Sequence, residues 1–174
     1  MNKNSSKVNI LLIVYLLICM FVACNFGGCY SFTGGSLPEY MKTMYLATVN
    51  DNSGYGNPRY REQLTQVLIE KFRSDNSLKL TERGGDSKLY VSIVSIRDET
   101  SKVKPGEVES ERKITVSCEA EFYDAVKKKS LWKKTFSNYY IYDLKNAQAN
   151  RDEAVTIALT RNADDILIAV VSGW

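Results

Sequence analysis

The hydrophobic positions of this chain follow a strict alternation in one segment, residues 113–123. Polar side chains there alternate with five apolar ones, which are Ile114, Val116, Cys118, Ala120 and Phe122. Successive side chains of a β-strand point to opposite faces, so this pattern predicts a strand with one buried face and one wet face. Cys118 lies on the buried side, where we expect a small apolar filler rather than a reactive thiol.

Four further segments have the β-rich composition of strands: residues 43–49, 78–81, 88–97 and 131–142. The third of these is apolar on both sides in places, which favours a central position in the sheet. Polar residues 98–111 contain Pro105 and Gly106 and fit a long hairpin loop, whereas residues 125–129 fit a turn.

Two segments have the apolar spacing of amphipathic helices. Residues 59–74 carry a stripe made of Tyr60, Leu64, Val67, Leu68 and Phe72. The preceding Asn57-Pro58 suits a helix start, because Asn can cap exposed amides and Pro fits the first turn. Asn150 and Glu153 have the spacing of a capping box and predict a second helix that runs to about Val171.

The order of these elements is strand, helix, several strands and helix, which predicts an α+β fold. Antiparallel hairpins leave one sheet face for both helices. We therefore expect a two-layer sandwich, with two helices packed on one face of a mostly antiparallel four- to five-stranded sheet. The other face is expected to stay wet or to meet a partner, and it carries Thr115, Ser117, Glu119 and Glu121.

The N-terminal region has the organisation of a bacterial export signal. Lys3 and Lys7 precede an apolar run over residues 10–24, and small residues stand before both Cys24 and Cys29. A cysteine directly after small residues is what bacterial lipoprotein processing requires. The thiol is then linked to diacylglycerol, the signal is cut just before it, and the new amine is acylated.

Two alternatives to lipoprotein processing remain open from the residues alone. An uncleaved membrane helix would need roughly 20 apolar residues, and the run spans only about fifteen. An ordinary secretory signal with incidental cysteines is the second alternative. Both Cys24 and Cys29 are candidates for acylation at this point.

Charge and composition argue against several classes of function. The net charge of +3 falls to about +1 once Lys3 and Lys7 are removed, so a nucleic-acid partner is not predicted. The chain has no histidine, the most common general base and metal ligand. Glu119 and Glu121 are expected to form a solvated face rather than a catalytic pair. We predict no enzyme activity, no cofactor and no metal site.

Basic residues cluster at Lys127, Lys128 and Lys129, in the predicted turn, and at Lys133 and Lys134 just after it. Solvated charge is the ordinary role of lysines in a hairpin turn. The alternative is that their ammonium groups hold an anionic lipid head group or a phosphate. Nothing in the sequence chooses between the two.

Several short motifs, in order, resemble the LptE-family lipoproteins of the Bacteroidetes and Chlorobi. They are Cys29-Tyr30-Ser31-Phe32-Thr33-Gly34-Gly35, Lys42-Thr43, Asn57-Pro58, Leu131-Trp132 with Thr135-Phe136-Ser137, and Val171-Ser172-Gly173-Trp174. The family's acylated cysteine stands just before the Tyr-Ser-Phe segment, so the resemblance favours Cys29 over Cys24. It implies a signal peptide over residues 1–28, an acylated tether over 29–42 and an α+β domain over 43–174.

The resemblance also implies a function. LptE-family proteins are non-enzymatic partners of LptD, the outer-membrane β-barrel that inserts lipopolysaccharide, and they act as its plug and assembly partner. We therefore expect a lipid anchor on the periplasmic side of the outer membrane and an LptD-type partner. Lipopolysaccharide contact through Lys127, Lys128, Lys129, Lys133 and Lys134 is a hypothesis. The runner-up function is a free-standing periplasmic lipoprotein that binds a small envelope ligand in an apolar pocket.

Overall fold

The structure is a computed structural model that describes residues 37–101 and 110–172. The predicted signal peptide, both candidate acylation sites (Cys24 and Cys29), most of the predicted tether and the last two residues lie outside this range. So does the middle of the predicted hairpin loop, residues 102–109.

The described residues contain six strands, two α-helices and one 3₁₀ turn. The strands are β1 (Thr43–Leu46), β2 (Asn50–Asp51), β3 (Lys79–Thr81), β4 (Ser87–Thr100), β5 (Glu111–Asp124) and β6 (Lys129–Asp143). The helices are α1 (Pro58–Asp75) and α2 (Ala147–Val171), and the 3₁₀ turn (Leu144–Asn146) leads from β6 into α2.

One sheet contains all the strands, in the order β3-β1-β4-β5-β6, with the short β2 also paired to β4. The long strands β4, β5 and β6 pair antiparallel, whereas β1 runs parallel to both β3 and β4. Parallel pairing follows because α1 carries the chain back along the sheet before β3 begins. The predicted α+β fold, with two helices on a mostly antiparallel sheet, is confirmed.

The alternation in β5 decides which face of the sheet is buried. All five predicted core residues of this strand are buried, and Cys118 has no exposed surface. Burial raises the pKa of the Cys118 thiol to about 12, which fits its role as a filler. Both helices contribute to the same core, through residues that include Leu64, Leu68, Phe72, Val155, Leu159 and Ile166.

The start of α1 is as the sequence predicts. The Asn57 side chain accepts a hydrogen bond from the Arg59 amide at 3.2 Å, and Pro58 occupies the first helical position. The helix ends at Asn76, which adopts a left-handed conformation with φ of 59° and donates its amide to the Phe72 carbonyl. This conformation is a common way to stop a helix.

The capping box predicted for α2 is wrong. The helix begins at Ala147, three residues before Asn150, and its N-cap residue Asn146 makes no side-chain capping bond. The Asn150 amide instead donates to the Asp143 carbonyl at 2.8 Å. The 3₁₀ turn supplies the reason, because it feeds directly into the helix and is itself capped by Asp143, which accepts from the Lys145 amide at 2.6 Å.

Polar contacts tie α2 to the sheet and to α1. The side chain of the fully buried Asn162 donates to the Val116 carbonyl of β5 at 3.0 Å and accepts from Asn138 of β6 at 3.1 Å. Arg161 donates to the Tyr139 carbonyl on β6 at 2.7 Å. Between the helices, Tyr60 donates to Asp152 and Lys71 pairs with Asp164, so the two helices run parallel.

We predict that Asn162→Ala lowers the free energy of unfolding by about 2 kcal/mol, because it removes one buried and one partly buried hydrogen bond and leaves their partners less satisfied. Urea unfolding followed by circular dichroism measures the change. Thr160→Ala is the matched control on α2, since the Thr160 hydroxyl bonds only to the Thr156 carbonyl of its own helix. An Asn162→Ala protein as stable as this control would contradict the role given to Asn162.

Candidate functional site

The hairpin between β5 and β6 carries three of the five candidate lysines. Residues 125–128 form its turn, and Lys128 adopts a left-handed conformation with φ of 53°. Asp124 closes the turn by accepting from the Lys127 amide at 2.8 Å. The segment Val126–Lys129 is exposed, and Val126 is the most exposed large apolar side chain of the described residues, at 58%. We call this segment the basic tip.

The chain entering from the N-terminal side is fastened to the basic tip. The Tyr40 hydroxyl donates to the second carboxylate oxygen of Asp124 at 2.5 Å, and the Lys127 ammonium lies 4.8 Å from the centre of the Tyr40 ring. Burial opposes ionisation of Asp124, but hydrogen bonds from the Lys127 amide and the Tyr40 hydroxyl outweigh it and hold its pKa below the usual range. Asp124 therefore remains a carboxylate at neutral pH.

A second carboxylate fixes the same end of the sheet. Asp86 accepts hydrogen bonds from the Thr43 hydroxyl at 2.7 Å and from the backbone amides of Lys42 and Thr43 at 3.0 and 2.9 Å. These bonds, the Thr43 hydroxyl first among them, lower the pKa of Asp86. The Asp86 carbonyl also accepts from the Ala125 amide at 2.9 Å, so the basic tip, β1 and the start of β4 form one joined corner.

The five candidate lysines do not form one cluster. Lys127, Lys128 and Lys129 lie together at the basic tip. Lys133 lies opposite Glu121 on the open sheet face and makes an ion pair with Glu119 at 2.8 Å. Lys134 pairs with Ala120 and so points to the helix side, where its ammonium lies 5.5 Å from the centre of the Trp132 ring. A single phosphate group cannot meet all five.

None of residues 37–101 and 110–172 covers the sheet face opposite the helices, and this face is more apolar than its β5 residues indicate. Its polar side includes the Ser117–Ser137 hydrogen bond at 3.0 Å and the Glu119–Lys133 pair. Large side chains also stand exposed on it, with Tyr139 at 55% and Ile141 at 44%, together with Tyr90 and Val94. We call this surface the open face.

Sequence reasoning missed Tyr40, Asp124 and Val126 as parts of a site, because no local motif marks contacts between residues 84 positions apart. The apolar residues of the open face had a detectable signal. Tyr139 and Ile141 stand in the opposite phase of β6 from the buried Trp132 and Tyr142. Two large apolar residues on the solvent-exposed side of a strand indicate an interaction surface.

The clefts of the described region are shallow, and one of them combines apolar and polar lining. It has a volume of about 290 Å³ and lies between α1 and the ends of β1 and β3, with Leu46, Ile69, Leu80 and Arg73 among its walls. In residues 37–101 and 110–172, no group of three His, Cys, Asp or Glu side chains is placed to hold a metal ion. None of the helices there is both long and apolar enough to cross a bilayer.

An α+β sandwich with a basic tip and an open face is the class of protein that the geometry defines. The family model described as "LptE: Lipopolysaccharide-assembly" matches residues 41–170 of the sequence. The chain belongs to the LptE family, as its motifs predicted. No curated protein sequence matches it.

Solved structures share the fold at low sequence identity. Protein XCC0632 from Xanthomonas campestris is similar with a TM-score of 0.58 and 14% identity, over 80% of this chain and 88% of that one. Hypothetical protein CT253 from Chlamydia trachomatis has a TM-score of 0.54 and 8% identity, over 75% and 95%. A minor lipoprotein from Acinetobacter baumannii has a TM-score of 0.51 and 12% identity, over 74% and 91%.

We predict that Asp124→Asn weakens folding at neutral pH and that the difference from the unchanged protein shrinks in acid. A carboxyl group whose pKa is lowered in the fold contributes stability above its unfolded pKa of about 4, and this contribution is lost as the pH falls through the folded pKa. Urea unfolding at a series of pH values between 7 and 2 measures the gap. Asp75→Asn, at the end of α1, is the control, and a gap independent of pH would contradict the role of Asp124.

Proposed function

We propose that this chain is a non-enzymatic lipoprotein subunit of the lipopolysaccharide-export machinery, acting as plug and assembly partner of an LptD-type β-barrel. Acylation at Cys29, with Cys24 as the alternative, holds it on the periplasmic side of the outer membrane. The observation that carries this proposal is the LptE-family match over residues 41–170. The apolar run that ends at small residues and cysteine supports the anchor.

The open face is the surface that we assign to the barrel. It combines exposed aromatic and apolar side chains with serines and paired charges, the mixture that protein interfaces use. The inner wall of an outer-membrane barrel is polar, so a plug must present hydrogen-bonding groups and not only apolar area. Tyr139 and Ile141, on the edge strand β6, supply exposed apolar area on this surface, and Ser117 and Ser137 adjoin them on the same face.

Lipopolysaccharide contact through the lysines belongs to the same proposal. Lipopolysaccharide carries phosphates, and lysine ammonium groups bind phosphate as point charges. Because the five lysines have three different surroundings, we expect their contributions to differ. Lys133 is already neutralised by Glu119, whereas Lys128 and Lys129 have no ion-pair partner among the described residues.

We predict that an LptD-type barrel co-purifies with this protein from detergent-solubilised outer membranes and that the double variant Tyr139→Glu, Ile141→Glu reduces its recovery about tenfold. Two carboxylates in the apolar centre of an interface must be desolvated without partners. Mass spectrometry of the eluate identifies the barrel and also gives the mass of the N-terminal peptide, which distinguishes acylated Cys29 from acylated Cys24.

The control for this experiment is Ile168→Glu. Ile168 is 57% exposed on α2, so it tests the effect of a new charge on the helix side. Full barrel recovery with this control and loss with the open-face variant is the expected result. A chain that purifies alone, with a small molecule bound in the cleft beside Ile69, would instead support the free-standing ligand-binding lipoprotein.

We predict that replacing Lys127, Lys128, Lys129, Lys133 and Lys134 with Gln lowers retention of lipopolysaccharide by the purified protein several-fold, because phosphate binding through ammonium groups is lost. Retention is measured by lipopolysaccharide staining after gel filtration. The single variant Lys133→Gln is expected to change little. Unchanged retention in the five-fold variant would remove lysine-mediated contact from the proposed function.

A further inference from the structure

The position of the basic tip relative to the membrane follows from the place where the anchored chain enters the domain. This inference rests on the acylation at Cys29 in the proposed function. Leu37, the first described residue, is eight positions after Cys29, a distance of at most about 28 Å for a fully extended chain. The lipid anchor is therefore confined to the neighbourhood of Leu37.

Tyr40 lies three residues after Leu37 and is held against the basic tip by its bond to Asp124 and by the Lys127 ammonium. Met41 is buried at 1% exposure, so this part of the chain is already packed into the domain. The opposite end of the sheet lies 14 residues along β5, or about 45 Å away, which is beyond the reach of the tether. The end that carries the basic tip is the one that the anchor draws to the membrane.

The chemistry of the basic tip suits an anionic lipid surface. Three consecutive lysines are exposed, and the two carboxylates of the joined corner, Asp86 and Asp124, already accept hydrogen bonds from backbone amides and hydroxyls. Val126 stands exposed immediately before the lysines. An apolar side chain can enter the interfacial region while neighbouring ammonium groups meet lipid phosphates, and basic residues beside a lipid anchor strengthen its hold.

We propose that the basic tip, Val126–Lys129, docks on the anionic phospholipid surface of the leaflet that holds the anchor. A single lipidated cysteine tethers a domain but leaves it free to rotate. A second contact, through the basic tip against which Tyr40 is held, fixes which side of the domain faces the membrane. In this orientation the plane of the open face lies at an angle to the membrane surface instead of against it.

The test uses the mature acylated protein in vesicles of phosphatidylcholine, with or without 30 mol% phosphatidylglycerol. An environment-sensitive fluorophore is attached at Ser130→Cys, next to the basic tip, or at Thr100→Cys, at the far end of the sheet. Lipid-borne quenchers report contact with the bilayer. We expect about threefold stronger quenching at position 130 in anionic than in neutral vesicles, no such difference at position 100, and loss of the effect in high salt.

The triple variant Lys127→Gln, Lys128→Gln, Lys129→Gln should lose this difference. The matched control, Arg97→Gln, Lys113→Gln, Lys145→Gln, removes the same charge from the far end and should keep it. Equal quenching in neutral and anionic vesicles, or a difference that survives the tip variant, would overturn the proposal. Quenching that needs lipopolysaccharide in the vesicle would also overturn it, and would make the basic tip a lipopolysaccharide contact.

Failure of the anchor is read separately, from the mass of the N-terminal peptide in the same preparation. A peptide without acyl mass would overturn the anchoring in the proposed function and this orientation with it. An acylated protein whose tip is not quenched would overturn only the docking. Circular dichroism of the two triple variants checks that both are folded, which we expect because none of the six side chains is buried.

Discussion

The structure depends on one constraint, which is that both helices cover the same face of a single sheet. Because β5 lies in the middle of the long antiparallel strands, its alternation commits one side of the sheet to the core and leaves the other side without cover. Within the described part of the chain, three buried polar residues stand where this arrangement joins other elements: Ser87 bonds to β1, Asp124 to the entering chain, and Asn162 to β5 from α2. Each is satisfied by its partner, so polarity in this core serves to position elements.

Much of this fold was predictable because its signals are local. The period-two pattern of β5 and the apolar stripe of α1 directly reflect which side of each element is buried. Asn57 caps α1, as expected of an asparagine before a helix. The start of α2 was not predictable, because the spacing from Asn150 to Glu153 is only a local pattern and the 3₁₀ turn after β6 begins the helix earlier. For the site, the period of two already puts the consecutive Lys133 and Lys134 on opposite faces of β6. The sequence does not show which β5 residues they lie beside, because the register that brings Lys133 to Glu119 and Glu121 is a long-range property.

The molecule has two surfaces with different chemistry, which are the corner that carries the basic tip and the open face. At one end, carboxylates that accept backbone amides gather the entering chain, β1 and the basic tip into one corner. Along the open face, aromatic side chains and hydroxyl groups share a surface with compensated charge. In the function that we propose, the domain holds its position relative to a membrane and to a partner. Such a role depends on where its surfaces lie and not on catalytic groups.

The hydrogen bond from Arg161 to the Tyr139 carbonyl affects whether the edge strand can pair with a strand of another chain. β6 is an edge strand of 15 residues, and an unpaired edge of that length is a template on which another chain can add a strand. Arg161 occupies the Tyr139 carbonyl on this edge strand, and Lys133 and Lys134 place basic side chains on its two faces. In the anchoring that we propose, copies held on one membrane would meet more often than copies in solution. An edge strand blocked in this way disfavours strand pairing between such copies.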